Sequence, residues 1–238
     1  MTSKVFLVSG NAGQGKTTVA KNLAFCLKSF GFDVLLVDGD VKTPKLGYHA
    51  GMPLAERTIQ DVLLGVRKLE DAVYHSGSGL KLLLSSLNVV NVPHPSVLLS
   101  QLRKLADIVV IDVPTNDHRW YRPDCDLLLV TQPDFPSVMD IQKLSRGCKV
   151  RGLVINRMHS DNVDLSAGNI HQLLSLPVLG VIPEEPIMRE ALRHGYSIVE
   201  YHPELVASNV LKQFAAKLMN LEYQSPVQEV SLFTRLGL

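Results

Sequence analysis

The sequence predicts an α/β fold, a mostly parallel central sheet covered by helices on both faces. Three observations carry this expectation. Short runs of aliphatic and β-branched residues recur, apolar on both sides as strands buried from two faces must be. Segments with helical apolar spacing alternate with those runs, the pattern of parallel strands joined by crossover helices. Several runs stop at glycine or an acidic residue, at the strand ends where open α/β sheets present their loops. The chain has 238 residues, 46% hydrophobic and 20% charged. That composition excludes a disordered chain, a collagen-like chain and a coiled-coil rod, and the length suffices for one sizeable core.

Taken in order, residues 5–8 (Val-Phe-Leu-Val) read as a buried strand followed by a glycine-rich turn. Residues 17–30 read as a helix, with Val19, Leu23 and Leu27 on one face and Gly31 closing it. Residues 34–37 form a second strand, ending in Asp38-Gly39-Asp40. Residues 59–64 and 69–74 read as short helices, 80–84 as a strand, and 96–105 as a helix through Val97, Leu98, Leu102 and Leu105. Residues 108–111 (Ile-Val-Val-Ile) are the next buried strand and end at Asp112; residues 126–130 are another. A helix over 137–145 precedes a strand over 150–155, which ends at Asn156-Arg157. A short helix over 170–174, a strand over 178–182 ending at Pro183, and helices over 188–194 and 204–221 complete the series. No repeat, low-complexity tract or linker precedes residue 222. One domain over 1–222 with a tail over 223–238 is therefore expected.

Lys+Arg 24 against Asp+Glu 23 gives a net charge of +1, so no global field draws the chain to nucleic acid, which is not an expected partner. Cys26, Cys125 and Cys148 are too few and too scattered for a disulfide framework or a zinc site, and the 8 histidines show no metal-ligand spacing. A reducing, cytoplasmic compartment is the simple expectation. The first ten residues meet glycine too early for a signal peptide, and no apolar run reaches the roughly 18 residues a membrane span requires.

The strongest motif is Gly10-Asn11-Ala12-Gly13-Gln14-Gly15-Lys16-Thr17-Thr18. It matches G-x-x-x-x-G-K-[ST] and lies between a predicted strand and a predicted helix, the setting of a phosphate loop. Glycines let successive backbone N–H groups turn toward one anion, and the helix N-terminus adds positive potential. Lys16 is expected to reach the β- and γ-phosphates and the Thr17 hydroxyl to bind Mg²⁺. The fold thus reads as a single-domain P-loop NTPase. Asp112 ends a buried strand, where a carboxylate holds the Mg²⁺ shell; the competing reading is an Asp that caps the next turn. Asp38 and Asp40, two residues apart in extended chain, point the same way and can orient attacking water or touch the metal shell. An Asp-Gly-Asp turn that merely ends the strand is the alternative.

These pieces resemble the MinD/ParA family of P-loop ATPases, archaeal MinD-like proteins in particular. The resemblance spans roughly residues 4–220 and rests on the phosphate loop with Thr17-Thr18 and on Val34-Leu-Leu-Val-Asp38-Gly-Asp40. It continues through Ile108-Val-Val-Ile-Asp112-Val-Pro114, Leu153-Val-Ile-Asn156-Arg157 and Gly180-Val-Ile-Pro183-Glu184. It implies ATP or ADP with Mg²⁺ as cofactors and an ATP-dependent homodimer. It implies that Asp40 positions catalytic water, that Asp38 supports it near Mg²⁺, and that Asp112 is the second-motif carboxylate. It further implies that Asn156 reads adenine with Arg157 near the base, and that the loop at Pro183 and Glu184 closes over it.

Two departures stand out. Where the family's loop carries a lysine that reaches across the dimer, this chain has Asn11, an amide without the charge that favours developing negative charge on phosphate. Where a glycine usually follows Pro114, Thr115-Asn116-Asp117 stands. Both bear on dimer-activated hydrolysis more than on ATP binding. The expected function is a MinD-like ATPase that acts as a dimerising positioning switch, in division-site or other cellular placement. A nucleotide-binding adaptor with negligible turnover is the alternative. Asp38-Gly-Asp40-Val-Lys42 and Pro93-His-Pro95 also resemble bacterial tyrosine autokinases, although only Tyr223 stands in the tail. A ParA-like DNA-partitioning role requires a basic surface. Residues 229–238, with Val230, Phe233 and Leu236 near one helical face, read as a weak amphipathic segment for peripheral contact at the inner face of the cell membrane; a tail that docks on the chain's own domain or on a partner, or is disordered, is the competing reading. His118 to Arg122 reads as a switch loop with a solvated face; a partner or nucleic-acid surface, from its interleaved basic and aromatic residues, is the alternative.

Overall fold

The computed structural model describes residues 3–88, 90–115, 117–145, 149–159 and 165–225. The apolar runs form strands β1 (Lys4–Gly10), β2 (Val34–Asp38), β3 (Tyr74–His75), β4 (Lys81–Leu83), β5 (Ile108–Asp112), β6 (Asp126–Thr131), β7 (Val150–Met158) and β8 (Val178–Pro183). They make one eight-stranded sheet in the order β3-β4-β2-β5-β1-β6-β7-β8. Every pairing is parallel except β3 with β4. The expected class, a single α/β domain with a mostly parallel sheet, is the observed one.

Alternation along the strands divides the core in two. Phe6, Val8, Leu36, Val110 and Leu128 face one side. There they meet helices α1 (Lys16–Ser29) and α9 (Val206–Met219) through Leu23, Leu27, Leu211 and Phe214. Short helices α2 (Leu46–His49), α7 (Ile187–Arg193) and α8 (Ile198–Tyr201) join this layer. Leu7, Val37, Ile111, Leu129 and Ile155 face the other side. They meet α3 (Ile59–Leu63), α4 (Leu99–Leu102), α5 (Phe135–Ser145), α6 (Ala167–Leu174) and the buried ring of Trp120.

Three expectations need correction. Residues 69–74 are a 3₁₀ turn (Glu70–Ala72) leading into β3, not a helix. Tyr74 pairs with Leu82 across the antiparallel edge, and its hydroxyl accepts the Arg57 N–H at 2.8 Å, so tertiary pairing overrides a segment too short to hold a helix. The helix over 96–105 contracts to a 3₁₀ turn (Pro95–Leu98) and α4. Helices α2 and α8 have no counterpart in the sequence reading, because four residues do not complete a detectable period. In the segment 118–122, His118, Arg119 and Arg122 are exposed as expected, but Trp120 is fully buried.

Candidate functional site

Parallel pairing brings the carboxyl ends of β1, β2, β5 and β7 to one edge of the sheet. Register sets Asp112 opposite both Val8 and Asp38. The loop 11–15 leaves β1 at this edge and ends at Gly15, whose φ of 92° is left-handed. A Cβ there would lie 2.2 Å from Asn156 Nδ2, so glycine is required by both backbone and space. Helix α1 begins at Lys16 with no capping side chain and no acid in its first turn. Its first amides and its dipole are thus left for an anion.

The loop is tied down from behind. Asn156 Nδ2 donates to Gln14 O at 2.9 Å, and Gln132 Nε2 donates to Gly13 O at 3.0 Å. The Gln14 side chain turns away from the cleft, accepting from Gln132 N at 2.6 Å and donating to Ser137 Oγ at 2.9 Å. Lys16 Nζ donates to Asn11 O at 2.9 Å and to Thr115 Oγ1 at 3.1 Å, while Thr115 Oγ1 donates to Gly10 O at 3.0 Å.

In front of the loop lies a cleft of about 570 Å³. Its walls include Ala12, Gly13, Gly15, Lys16, Thr17 and Thr18 from the loop and α1, with Asp40, Asp112 and Arg157 from other strand ends. The Thr17 hydroxyl donates to Asp112 Oδ2 at 2.5 Å. Asp112 Oδ1 is buried with no hydrogen-bond partner, an arrangement that suits a cation shell beside Thr17. Burial pushes the Asp112 carboxyl up to about 6, against the pull of the Thr17 hydrogen bond and of Lys16. Burial likewise lowers the Lys16 ammonium, although Asp112 and Asp40 oppose that. Among the described residues, no three His, Cys, Asp or Glu side chains gather to hold a metal alone. Mg²⁺ characteristically takes one or two carboxylates together with phosphate oxygens, so this donor set fits it.

Asp38 and Asp40 do not face the same way. Strand β2 stops at Asp38, so its alternation does not extend to Asp40. Asp38 is fully buried beneath the cleft, and its oxygens accept from Asp40 N at 3.2 Å and Leu46 N at 3.0 Å. Burial first, and Asp112 second, hold its carboxyl well above the usual range. Asp40 lines the cleft but folds onto its own loop, accepting from Lys42 N, Thr43 N and Thr43 Oγ1 at 3.0, 2.8 and 2.7 Å. Short acidic side chains readily satisfy nearby backbone in this way.

A smaller recess adjoins the cleft, lined by Thr18, Asn156, Arg157, Pro183, Glu184, Met188, Arg189 and Leu192. It brings the four residues expected around the base together. Arg157 adopts φ 58°, uncommon for a side-chain-bearing residue, and lines both spaces. Its Nε lies 3.6 Å from Glu184 Oε2, and Arg189 donates to Glu184 Oε1 at 3.4 Å. Sequence reasoning gave no cleft role to Lys45, His49 or Leu192. They come from elements that are short or distant in sequence, and no motif marks them. Lys42 was visible only as the basic residue after Asp40.

Residues 5–198 match the CobQ/CobB/MinD/ParA nucleotide binding domain family. An uncharacterized ATP-binding protein of Methanocaldococcus jannaschii is 28% identical over 96% of this chain and 92% of its own length. The cell division ATPase MinD of Pyrococcus furiosus superposes with a TM-score of 0.79 at 28% identity, over 92% of this chain and 100% of that one. The septum site-determining protein MinD of Pyrococcus horikoshii, solved with Mg-ADP, superposes with a TM-score of 0.79 at 29% identity, over 92% and 96%. The glycine-rich loop that leads into α1, with Asp112 beside Thr17, is thus set in a chain that belongs to the CobQ/CobB/MinD/ParA nucleotide-binding family.

Proposed function

We propose that this chain is a MinD-like Mg²⁺-ATPase working as an ATP-dependent dimerising switch in division-site or other cellular positioning. The observation that carries the reading is the Thr17–Asp112 pair, with its partnerless carboxylate oxygen, at the mouth of the phosphate loop. The Mg-ADP carried by the Pyrococcus horikoshii relative supports the same ligand here. In this reading, loop amides from Gly10 to Thr18 and the Lys16 ammonium bind the phosphates. Thr17 and Asp112 hold Mg²⁺, directly or through water. Bound Mg²⁺ supplies charge neutralisation on the β- and γ-phosphates. Asp40 orients water after turning one oxygen out of its own loop, and Asp38 holds the loop by accepting from Leu46 N. Asn156 and Arg157, with Pro183 and Glu184, receive the base. Residues 1–222 form the ATPase domain. Residues 229–238, which lie outside the described residues, supply a lipid contact that one short helix makes only weakly and a dimer makes by avidity. The protein is then cytoplasmic and peripheral at the membrane.

Titration of Lys16→Ala with a non-hydrolysable ATP analogue, followed by calorimetry, tests the site. Binding is expected to vanish, and an affinity equal to wild type refutes the role. A second reading, an adaptor with negligible turnover, is favoured by Asn11, whose amide lacks the charge the family places there. Phosphate release from Asn11→Lys beside wild type separates the two. A large gain in the variant supports the adaptor; brisk wild-type turnover that rises with protein concentration supports the dimerising ATPase.

A further inference from the structure

Lys21 lies one turn beyond the phosphate loop on α1, facing away from the cleft, and is only 6% exposed. A lysine so deeply buried ordinarily has a carboxylate partner. Among the described residues this one has none within ion-pair distance, and Glu200 acts on it only through space. Instead the ammonium donates to two carbonyls: that of His49 and, at 2.7 Å, that of Gly195. Both sit at helix C-terminal ends. His49 is the last residue of α2, and Gly195 follows the C-cap of α7. The negative ends of two helices thus meet one cation.

The two segments also touch directly. Gly195 has φ 76°, and a Cβ built on it would lie 3.1 Å from Gly51 Cα. Each segment in turn forms part of the nucleotide cleft. The segment 40–49 brings Asp40, Lys45 and His49 to its wall; α7 brings Leu192, which also lines the base recess with Met188 and Arg189. Helix α2 is held at both ends, its first amide by the Asp38 carboxylate and its last carbonyl by Lys21.

We propose that Lys21 is a positioning residue that bolts the Asp40-bearing segment to the helix behind the base recess, so that the phosphate and base walls move as one body. The effect on turnover rests on the ATPase reading above; the bolt itself does not. Lys21→Met keeps the stem and removes the donors, and Lys21→Arg restores a cation. Hydrogen exchange on the ligand-free variants reads the bolt alone. Lys21→Met is expected to speed exchange by at least about 10-fold in both 46–52 and 194–198, with recovery in Lys21→Arg. Exchange unchanged, or faster in only one segment, overturns the proposal. Steady-state kinetics then reads its consequence. The loop amides do not depend on Lys21, so ADP affinity should change less than about 3-fold while kcat falls at least about 10-fold. Wild-type kcat in a variant that has lost protection in both segments overturns the positioning role. If wild type itself turns over no ATP, the ATPase reading fails, and the bolt is decided by exchange. Should Lys21→Met not fold, Lys21→Gln, shorter and uncharged, is read by the same exchange, with the same outcome required in both segments.

Discussion

Asp112→Asn separates what this carboxylate does to the fold from what it does for a ligand. Buried at the tip of β5, the acid has its pKa raised from 3.8 to about 6, chiefly by loss of water. The sign follows from linkage. Between those two values the folded chain binds more protons than the unfolded one, so stability falls as pH rises through the window. The penalty is absent below the unfolded pKa and complete above the folded one. About two units at roughly 1.4 kcal/mol each make it about 3 kcal/mol at neutral pH. His49 works in the opposite direction, because burial and the nearby Lys21 and Lys45 lower it from 6.5 to about 4, and its neutral burial costs stability as the medium acidifies. The readout is therefore the difference between variant and wild type, measured by urea unfolding from about pH 4 to about pH 7.5. Asparagine retains an acceptor for Thr17 but no charge. Because the Asp112 charge also helps hold the Asp38 carboxyl up, the variant is expected to gain on wild type by about 3 kcal/mol or more across that range. Adding Mg²⁺ and a non-hydrolysable ATP analogue should reverse the order, stabilising wild type and leaving the variant unmoved. A difference that is flat with pH, or ligand stabilisation equal in both proteins, refutes the reasoning.

Other outcomes follow from the same geometry. Gly15→Ala forces a Cβ against Asn156 Nδ2 at a left-handed φ; circular dichroism should show a folded chain, and calorimetry should show no nucleotide binding. Trp120→Ala empties a fully buried ring site, and chemical denaturation should record a loss of about 3–5 kcal/mol. Removing residues 226–238 should leave nucleotide affinity intact and abolish co-sedimentation with anionic vesicles in the presence of the ATP analogue; retained co-sedimentation assigns the lipid contact elsewhere.

The sheet was legible because fully buried parallel strands must be apolar on both faces, and Val34 to Val37 or Ile108 to Ile111 leave no other reading. The phosphate loop was legible because its chemistry fixes residue type and spacing within nine consecutive positions. Asp112 was found by standing at the end of such a strand. Asp38 was misplaced in direction, since period-2 alternation assumes an extended chain and the strand ends there. Edge strand β3 and helices α2 and α8 were invisible because each is too short to show a period and is formed by tertiary contacts. Lys21, His49 and Leu192 are distant in sequence, and only the assembled layer of helices brings them together.

Thr115 stands where the family resemblance leads one to expect glycine, and its hydroxyl gives Lys16 an acceptor that glycine lacks. With Asn11 O on the other side, the long side chain is already stretched along the loop before any anion arrives. The rotamer entropy a lysine commonly loses on capturing phosphate has thus been lost during folding. An incoming anion exchanges existing bonds instead of recruiting a wandering cation, which favours a site that is preorganised at the expense of having to surrender its resting contacts.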